Sequence, residues 1–298
     1  MSKSDPLVTL SRAFPKLARF VIELSTSGKL PVPIHKHWIV ENRLIPELFR
    51  DGITSTINGM VFDVPTVVAA WYRNFEPVTQ TLIERSLRPG MVFVDVGANV
   101  GYFSVLADRI VGPDGLVHAF EPSPPTLPML RRNLARHGVR HVEVHEFALG
   151  ETNGLREFNH TIDQLNDGFV PGPYAPVIRT ERIVQKRLDD VLQGKVDFVK
   201  MDIQGTEIEV LRGMERIIRE NEQISFLVEW APACMKPAGY RAQDLPEFFS
   251  RKGFFQMRAV DDFSEDETHS VEEMLRIFAT DATGLRYCNL FVSPRKAP

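Results

Sequence analysis

Met91-Val92-Phe93-Val94-Asp95-Val96-Gly97-Ala98-Asn99-Val100-Gly101-Tyr102-Phe103-Ser104 is a short apolar run with one acid near its end. It breaks into a Gly-x-Asn-x-Gly turn, and a helical pattern follows at once. The run reads as a strand buried on both faces, as parallel sheets require. Gly97 and Gly101 let the backbone turn sharply and let a ligand approach where a Cβ would clash. The helix from Tyr102 aims its unpaired N–H groups and the positive end of its dipole at that ligand. The stretch therefore predicts a nucleotide-type site at the end of a buried strand.

Downstream, a turn at Gly112-Pro113-Asp114-Gly115 leads to a second buried strand, Leu116 to Glu121, again ending in an acid. Ser123-Pro124 predicts a helix N-cap with proline in the first turn, and Gly138 predicts its stop. Val142 to Leu149 reads as a third strand, giving β-α-β-α-β with short turns and hence a parallel sheet with right-handed crossovers. Strands are also predicted at Val196–Ile203, Ile224–Val228, Phe254–Val260 and Tyr287–Val292, seven in all, with helices over Thr206–Arg219 and Leu245–Lys252. Between Gly150 and about Gln185 the rhythm fails, and insertions this long are usually lids or binding loops. Because this one follows a strand's carboxyl end, residues 150–186 are expected to face the substrate. The acidic run Asp261 to Glu267 lacks the glycine and spacing of a calcium loop and reads as solvated.

Upstream, residues 1–75 read as an N-terminal extension of helix, linker and hairpin, and 76–298 as the main domain. Phe14, Leu17, Ala18, Val21 and Ile22 recur at helical spacing, which suits a helix packed on its own domain or on a second copy in a homodimer. His35 and His37, beside Trp38, lack the company of a metal site and read as surface residues. Asn58-Gly59, between alternating runs, predicts a hairpin turn. A helix is expected from about Thr79 to Leu87.

Composition excludes several classes. A net charge of −4 across 298 residues gives no footprint for nucleic acid. Two cysteines argue against a disulfide framework. No apolar run approaches the ~20 residues of a bilayer span, and Met1-Ser2-Lys3-Ser4-Asp5 lacks a secretory apolar region, so the expectation is a cytoplasmic protein.

The acids decide which nucleotide. Dinucleotide folds carry G-x-G-x-x-G, whose third glycine lets helix and strand pack closely. That glycine is missing here, and Asp95 would repel a pyrophosphate lying on the turn. Asp95 suits a cationic group instead, such as the α-amino group of S-adenosylmethionine. Glu121 is placed to accept hydrogen bonds from both ribose hydroxyls.

As a set, these residues resemble the first motif of class I S-adenosylmethionine-dependent methyltransferases, and more narrowly the FkbM family. Phe120-Glu121-Pro122, Ala148-Leu149-Gly150, Leu188-Asp189-Asp190, Val199-Lys200-Met201-Asp202-Ile203-Gln204-Gly205-Thr206-Glu207 and Val210-Leu211-Arg212-Gly213 match the family's pattern in order, over about residues 70 to 260. Gln204-Gly205-Thr206 departs from it, since the family more often has Glu-Gly-Ala or Glu-Gly-Ser. The resemblance implies a Rossmann-like, doubly wound α/β fold and methyl transfer to a hydroxyl of a sugar, glycoside or other natural-product-like molecule. The rivals are a nicotinamide-dependent oxidoreductase, which Asp95 and the missing glycine oppose, and a non-catalytic binding domain of the same fold.

The expected cofactor set is Glu76, Asp95, Gly97, Ala98, Asn99, Gly101, Tyr102, Glu121, Phe147, Ala148 and Asp202. Asp95 and the turn take the methionine end, Glu121 the ribose, and Phe147 or Ala148 the adenine, with Tyr72 and Glu76 closing from the N-terminal side. Asp202, Glu229 and His145 are the candidate catalytic groups, and Asp202 with Glu229 would hold a divalent cation such as Mg if one is used. His160 is a further available imidazole, read as a packed or surface side chain. Thr206 and Glu209 have the spacing of a capping box, and Glu207 favours the helix dipole.

Overall fold

In a computed structural model the chain divides into two compact units, residues 1–75 and 76–298. The structure describes residues 52–65, 75–161, 163–262 and 268–294. The expectations for Phe14 to Ile22, His35, His37, Trp38 and Tyr72 lie outside the described residues.

In the first unit, β1 (Ile53–Ile57) and β2 (Met60–Val64) pair antiparallel. Asn58 and Gly59 take φ of 44° and 84°, the left-handed conformations a two-residue hairpin turn demands. The Asn58 side chain also exchanges hydrogen bonds with the backbone of Phe75 at 2.7 and 3.2 Å.

The second unit opens with α1 (Pro77–Ser86), β3 (Val92–Val96), α2 (Tyr102–Val111), β4 (Leu116–Phe120), α3 (Leu127–Arg136) and β5 (Val142–His145). After β6 (Ala148–Leu149), β7 (Gly154–Thr161), β8 (Val177–Lys186) and α4 (Leu188–Val191) come β9 (Phe198–Met201), α5 (Glu207–Arg212), α6 (Glu215–Glu220) and β10 (Ser225–Trp230). The remainder is α7 (Pro232–Met235), α8 (Asp244–Arg251), β11 (Met257–Val260), β12 (Thr268–His269), α9 (Val271–Thr280) and β13 (Cys288–Val292).

The main sheet runs β12-β11-β13-β10-β9-β3-β4-β5. The five strands from β10 to β5 are parallel, because each apolar run is buried on both faces and each return is a helical crossover. β13, β11 and β12 are antiparallel. The sheet is the expected Rossmann-like one with eight strands in place of seven; the extra, β12, is two residues long and carries no pattern. From β3 the chain builds outward through β4 and β5, then returns to place β9 on the other side of β3. That reversal makes the β3/β9 boundary a topological switch point, where open α/β sheets bind ligands.

Four local expectations are corrected. Val142–Leu149 is not one strand: β5 ends at His145, and Ala148 and Leu149 instead pair with β8 in a three-stranded sheet, β6-β8-β7. The segment expected to be irregular is largely a hairpin of β7 on β8. The helix over Thr206–Arg219 is two, broken at Gly213, where a Cβ would meet the Gly150 carbonyl oxygen at 2.0 Å. Ser123 is not the cap of α3, which starts at Leu127; its N–H and hydroxyl are committed to Glu121 and Asp167.

The acidic run also begins inside the fold rather than in solvent. Asp261 is fully buried and paired with Arg286. Asp262 caps α1, accepting from the N–H groups of Val78 and Thr79 at 2.7 and 3.1 Å and from the Thr79 hydroxyl at 2.6 Å. Helix α9 went unanticipated, although Ser270 and Glu273 form a reciprocal capping box. Among the described residues no helix is long and apolar enough to cross a membrane.

Candidate active site

The carboxyl ends of β3, β4, β9 and β10 converge at the switch point. A cavity there is lined by Gly97, Asn99, Glu121, Phe147, Ala148 and Asp202, among others. Gly97, at φ 82°, is the close approach: a Cβ there would lie 2.0 Å from the Asp202 carbonyl oxygen. Its hydrogen lets the ends of β3 and β9 meet. Ala98 and Gly97 both donate their N–H to the Phe120 carbonyl at 3.0 Å, which fastens the turn to β4.

Asn99 and Glu121 complete that fastening. The Asn99 N–H donates to Glu121 Oε2 at 2.8 Å, and the Ser123 N–H donates to Oε1 at 2.8 Å. Both carboxylate oxygens keep a second acceptor site, so the group can still take two hydroxyl donors. Burial pushes the Glu121 pKa up to about 7, against the pull of the two N–H donors. Phe147 stands edge-on to Phe120 at 5.7 Å, with the Lys186 ammonium 4.4 Å over its ring.

Behind the turn lies a buried charge cluster. Asp95 pairs in register with Lys200 across β3 and β9. Ser104 donates to Asp95 Oδ2 at 2.6 Å, while Oδ1 has no hydrogen-bond partner among the described residues. Glu76 Oε2 and Glu229 Oε2 are likewise buried without a partner there. Burial, opposed by Lys200, raises Asp95 above the ordinary carboxylate range. Burial lifts Glu76 to about 8, with Lys200 opposing and Asp202, Asp262 and Asp95 adding to the rise. Burial works to discharge Lys200, but Asp202, Glu76 and Asp95 outweigh it and raise its pKa. Among the described residues, Lys200 is the one cation that serves Asp95, Asp202, Glu76 and Glu229. Unpartnered carboxylate oxygens around a single lysine fit a ligand that brings positive charge of its own, as the ammonium and sulfonium of S-adenosylmethionine do.

Five residues of the expected cofactor set, Glu76, Asp95, Ala98, Gly101 and Tyr102, do not line this cavity. Asp95 is withdrawn behind the turn, and Tyr102 is buried with its hydroxyl on Gln80 Oε1 at 2.6 Å. Glu76 belongs to the charge cluster, as N-cap of α1 with φ 42°. Gly101, at φ 88°, packs against Leu130, where a Cβ would approach to 2.6 Å. His145 is set apart from the cavity, its ring stacked on Phe120 at 4.3 Å and its Nε2 3.1 Å from His118 Nδ1.

Asp202 and Glu229 are brought together, but by an amide. Gln204, at φ 61°, donates from Nε2 to Asp202 Oδ1 and to Glu229 Oε1, each at 3.2 Å. An amide between them, with Lys200 Nζ 3.4 Å from Asp202 Oδ2, fills the place where a cation would sit. The pair does not fit a magnesium site. Burial, then Asp202 and Glu207, raise Glu229 well above its ordinary value.

Two expectations around α5 also change. Thr206 makes no side-chain cap, and Glu209 is paired with Arg156 of β7. Glu207 is buried, its Oε1 accepting from the Gly205 N–H at 2.9 Å. The opposite wall of the cavity is formed by Phe158, Gln164, Leu165, Asp167, Gly168 and Phe169 of the 150–186 insertion, none of which the sequence singled out individually. Asp167 latches it, receiving the Ser123 hydroxyl at 3.0 Å, the Thr161 N–H at 2.7 Å and His160 Nδ1 at 2.8 Å. The other His160 nitrogen lies 2.8 Å from Glu181, so His160 is a buried strut.

A doubly wound parallel sheet, a glycine turn at its switch point and an acid ending the next strand define a Rossmann-like domain of the adenosine-cofactor kind. Residues 95–255, more than half the chain, match the methyltransferase FkbM domain, and the chain belongs to that family of class I S-adenosylmethionine-dependent methyltransferases. It is 30% identical to methyltransferase 1 of Beauveria bassiana over 41% of this chain and 57% of that protein. It is 32% identical to the 31-O-demethyl-FK506 methyltransferase FkbM of Streptomyces tacrolimicus over 43% of this chain and 61% of that one. The chain therefore spans about three fifths of the length of these two curated relatives. A solved methyltransferase FkbM from Methylobacillus flagellatus KT is 18% identical, with a TM-score of 0.44 over 72% of this chain and 50% of that one.

Proposed function

We propose that this chain binds S-adenosylmethionine at the β3/β9 switch point and transfers its methyl group to a hydroxyl of a small natural-product-like molecule, sugars and glycosides included. The observation that carries the cofactor is Glu121, held by two backbone N–H groups with both oxygens still able to accept. The family supports methyl transfer, and the relative named for 31-O-demethyl-FK506 supports an oxygen acceptor.

When bound, the cofactor supplies a methyl carbon on a cationic sulfur leaving group. The chain's part is positioning for in-line displacement and charge balance. Glu121 would hold the ribose, Phe147 and Ala148 would flank the base, and the cluster around Lys200 would face the cationic end. An attacking hydroxyl must lose its proton as the C–O bond forms. Asp202 lines the cavity and is the more exposed of the two acids, so it takes that role, while burial disfavours the charged form of Glu229 and Gln204 fixes the distance between them.

Calorimetry on the full chain is the test. S-adenosylmethionine and its demethylated product bind at about micromolar Kd, in the range where small cofactors operate, and NAD gives no heat. No heat from either sulfur compound would remove the proposal.

A further inference from the structure

A second group of ligating side chains stands at the free edge of the main sheet, clear of the cofactor cavity. His118 on β4 and Glu143 on β5 are register partners, and His145 lies two residues further along the same face of β5. His118 Nδ1 is 3.1 Å from His145 Nε2 and 3.4 Å from Glu143 Oε2, and the three donor atoms all lie within 4.8 Å of one another. Among the described residues no other three His, Cys, Asp or Glu side chains gather this closely.

From these distances we infer a binding site for a borderline divalent transition metal, of the zinc, cobalt or nickel type, made by His118, Glu143 and His145. Donors about 2.0–2.1 Å from a tetrahedral ion stand roughly 3.3 Å apart, which is the spacing of His118 to both partners. Two imidazoles and one carboxylate are the set such ions choose over magnesium or calcium. Three protein ligands leave a fourth position open to water.

The surroundings permit the site. The two imidazoles point nitrogens at each other, which without an ion is satisfied only by one shared proton. Burial lowers both histidines below the ordinary value, which favours the neutral, ligating form of both imidazoles. Lys186 opposes a cation here, since it also lowers His145, while Glu143 supplies compensating charge. Glu143 is 59% exposed along its side chain and free to swing onto the ion.

The ion would clip β4 to the edge strand β5. β4 leads directly into Glu121, whose N–H donates to the His145 carbonyl at 3.1 Å, and Phe120 stacks on the His145 ring. The end of β4, which walls the cofactor cavity, is thereby fixed to the edge strand. The site itself does not depend on which cofactor the cavity holds.

Titration of the tag-free full chain with Co2+ tests this directly. Visible d–d bands of a four- or five-coordinate ion are expected at about micromolar Kd, displaced by Zn2+, with higher thermal stability as metal is added. Glu143→Gln, at an exposed position that leaves packing intact, weakens binding about tenfold or more; His118→Asn abolishes the bands while circular dichroism shows the fold retained. No bands up to roughly 1 mM Co2+, unchanged affinity in Glu143→Gln, or a sulfur-to-cobalt charge-transfer band pointing to Cys234 or Cys288 would each overturn the inference.

Discussion

The N–H of Asn99 donates to Glu121 Oε2 at 2.8 Å, so the turn after β3 and the acid ending β4 are one unit. The acid that would read the ribose also holds the shape of the turn beneath it. Glu121→Gln keeps one acceptor oxygen and is expected to weaken S-adenosylmethionine binding about tenfold. Glu121→Ala weakens it at least a hundredfold and costs about 1–3 kcal/mol of stability, because two buried N–H groups lose their acceptor. Titration calorimetry and urea unfolding measure the two effects. Equal affinity in all three proteins would mean that Glu121 is only a brace.

Gly97 separates steric cost from backbone cost. Gly97→Ala drives a Cβ to 2.0 Å from a backbone oxygen at φ 82°, and neither strand end can yield without breaking ladder bonds. Gly138→Ala has a comparable φ of 63° but nothing within 4 Å of the new carbon. The second substitution should cost about 1 kcal/mol. The first should cost more than about 3 kcal/mol and abolish cofactor binding. Similar melting temperatures for the two would show that β3 and β9 are not held this close.

Much of this was legible in the sequence, for a physical reason. A parallel strand buried on both faces writes a continuous apolar run, and Val92–Val96 carries Asp95 one residue before its end while Leu116–Phe120 leads into Glu121. The strand interrupted after His145 was not legible, since apolar residues continue through Phe147, Ala148 and Leu149 while the chain changes sheets. The β7–β8 hairpin was hidden because much of β8 is exposed on both faces and shows no alternation. Lys200 had no role in the sequence beyond its place in a motif; only the register with Asp95 reveals it as the counter-ion. Ser270-x-x-Glu273, in contrast, was a readable helix start.

Burial raises Glu121 and Glu207 to about 7 and Glu76 to about 8, and raises Asp95 as well. Folded-state values above the unfolded ones mean that folding takes up protons, so stability is greatest below about pH 4.5 on this account and falls as pH rises through 7 to 8. The ligand-free chain should lose several degrees of melting temperature between pH 5 and 8, corresponding to about 2 kcal/mol or more. A cationic cofactor favours the ionised acids, so its binding should release protons and strengthen as pH rises across the same range. Calorimetry in two buffers of different ionisation enthalpy counts those protons. Uptake instead of release would place the positive end of the ligand elsewhere.

Gln204 stands where related chains more often carry a glutamate, and its amide bridges Asp202 and Glu229 at 3.2 Å each. Gln204→Glu puts a third carboxylate between two others that share Lys200 as their nearby cation. The expected result is a loss of about 2–4 kcal/mol at pH 8, largely recovered at pH 5.5, where the added acid can be protonated. Chemical denaturation at the two pH values measures it. A variant equally stable at both would mean that the bridge is incidental.

Residues 164–169 stand over a cavity with about 50 Å³ of free space, whereas a drug-sized ligand takes roughly 300 Å³ or more. The segment is therefore expected to withdraw as a cofactor enters. Asp167 is the latch, joining Ser123 beside Glu121 to Thr161 and His160 of the hairpin. Asp167→Ala releases all of these contacts at once, while β7 and β8 keep their own ladder. Amide exchange in residues 163–169 should accelerate at least tenfold, and cofactor association should quicken in stopped flow. Dissociation should quicken too, so that Kd changes less than either rate. Unaltered exchange in this segment would show that it is held by packing of Phe158 and Phe169 rather than by the latch, and the path of entry would have to be sought on another side of the cavity.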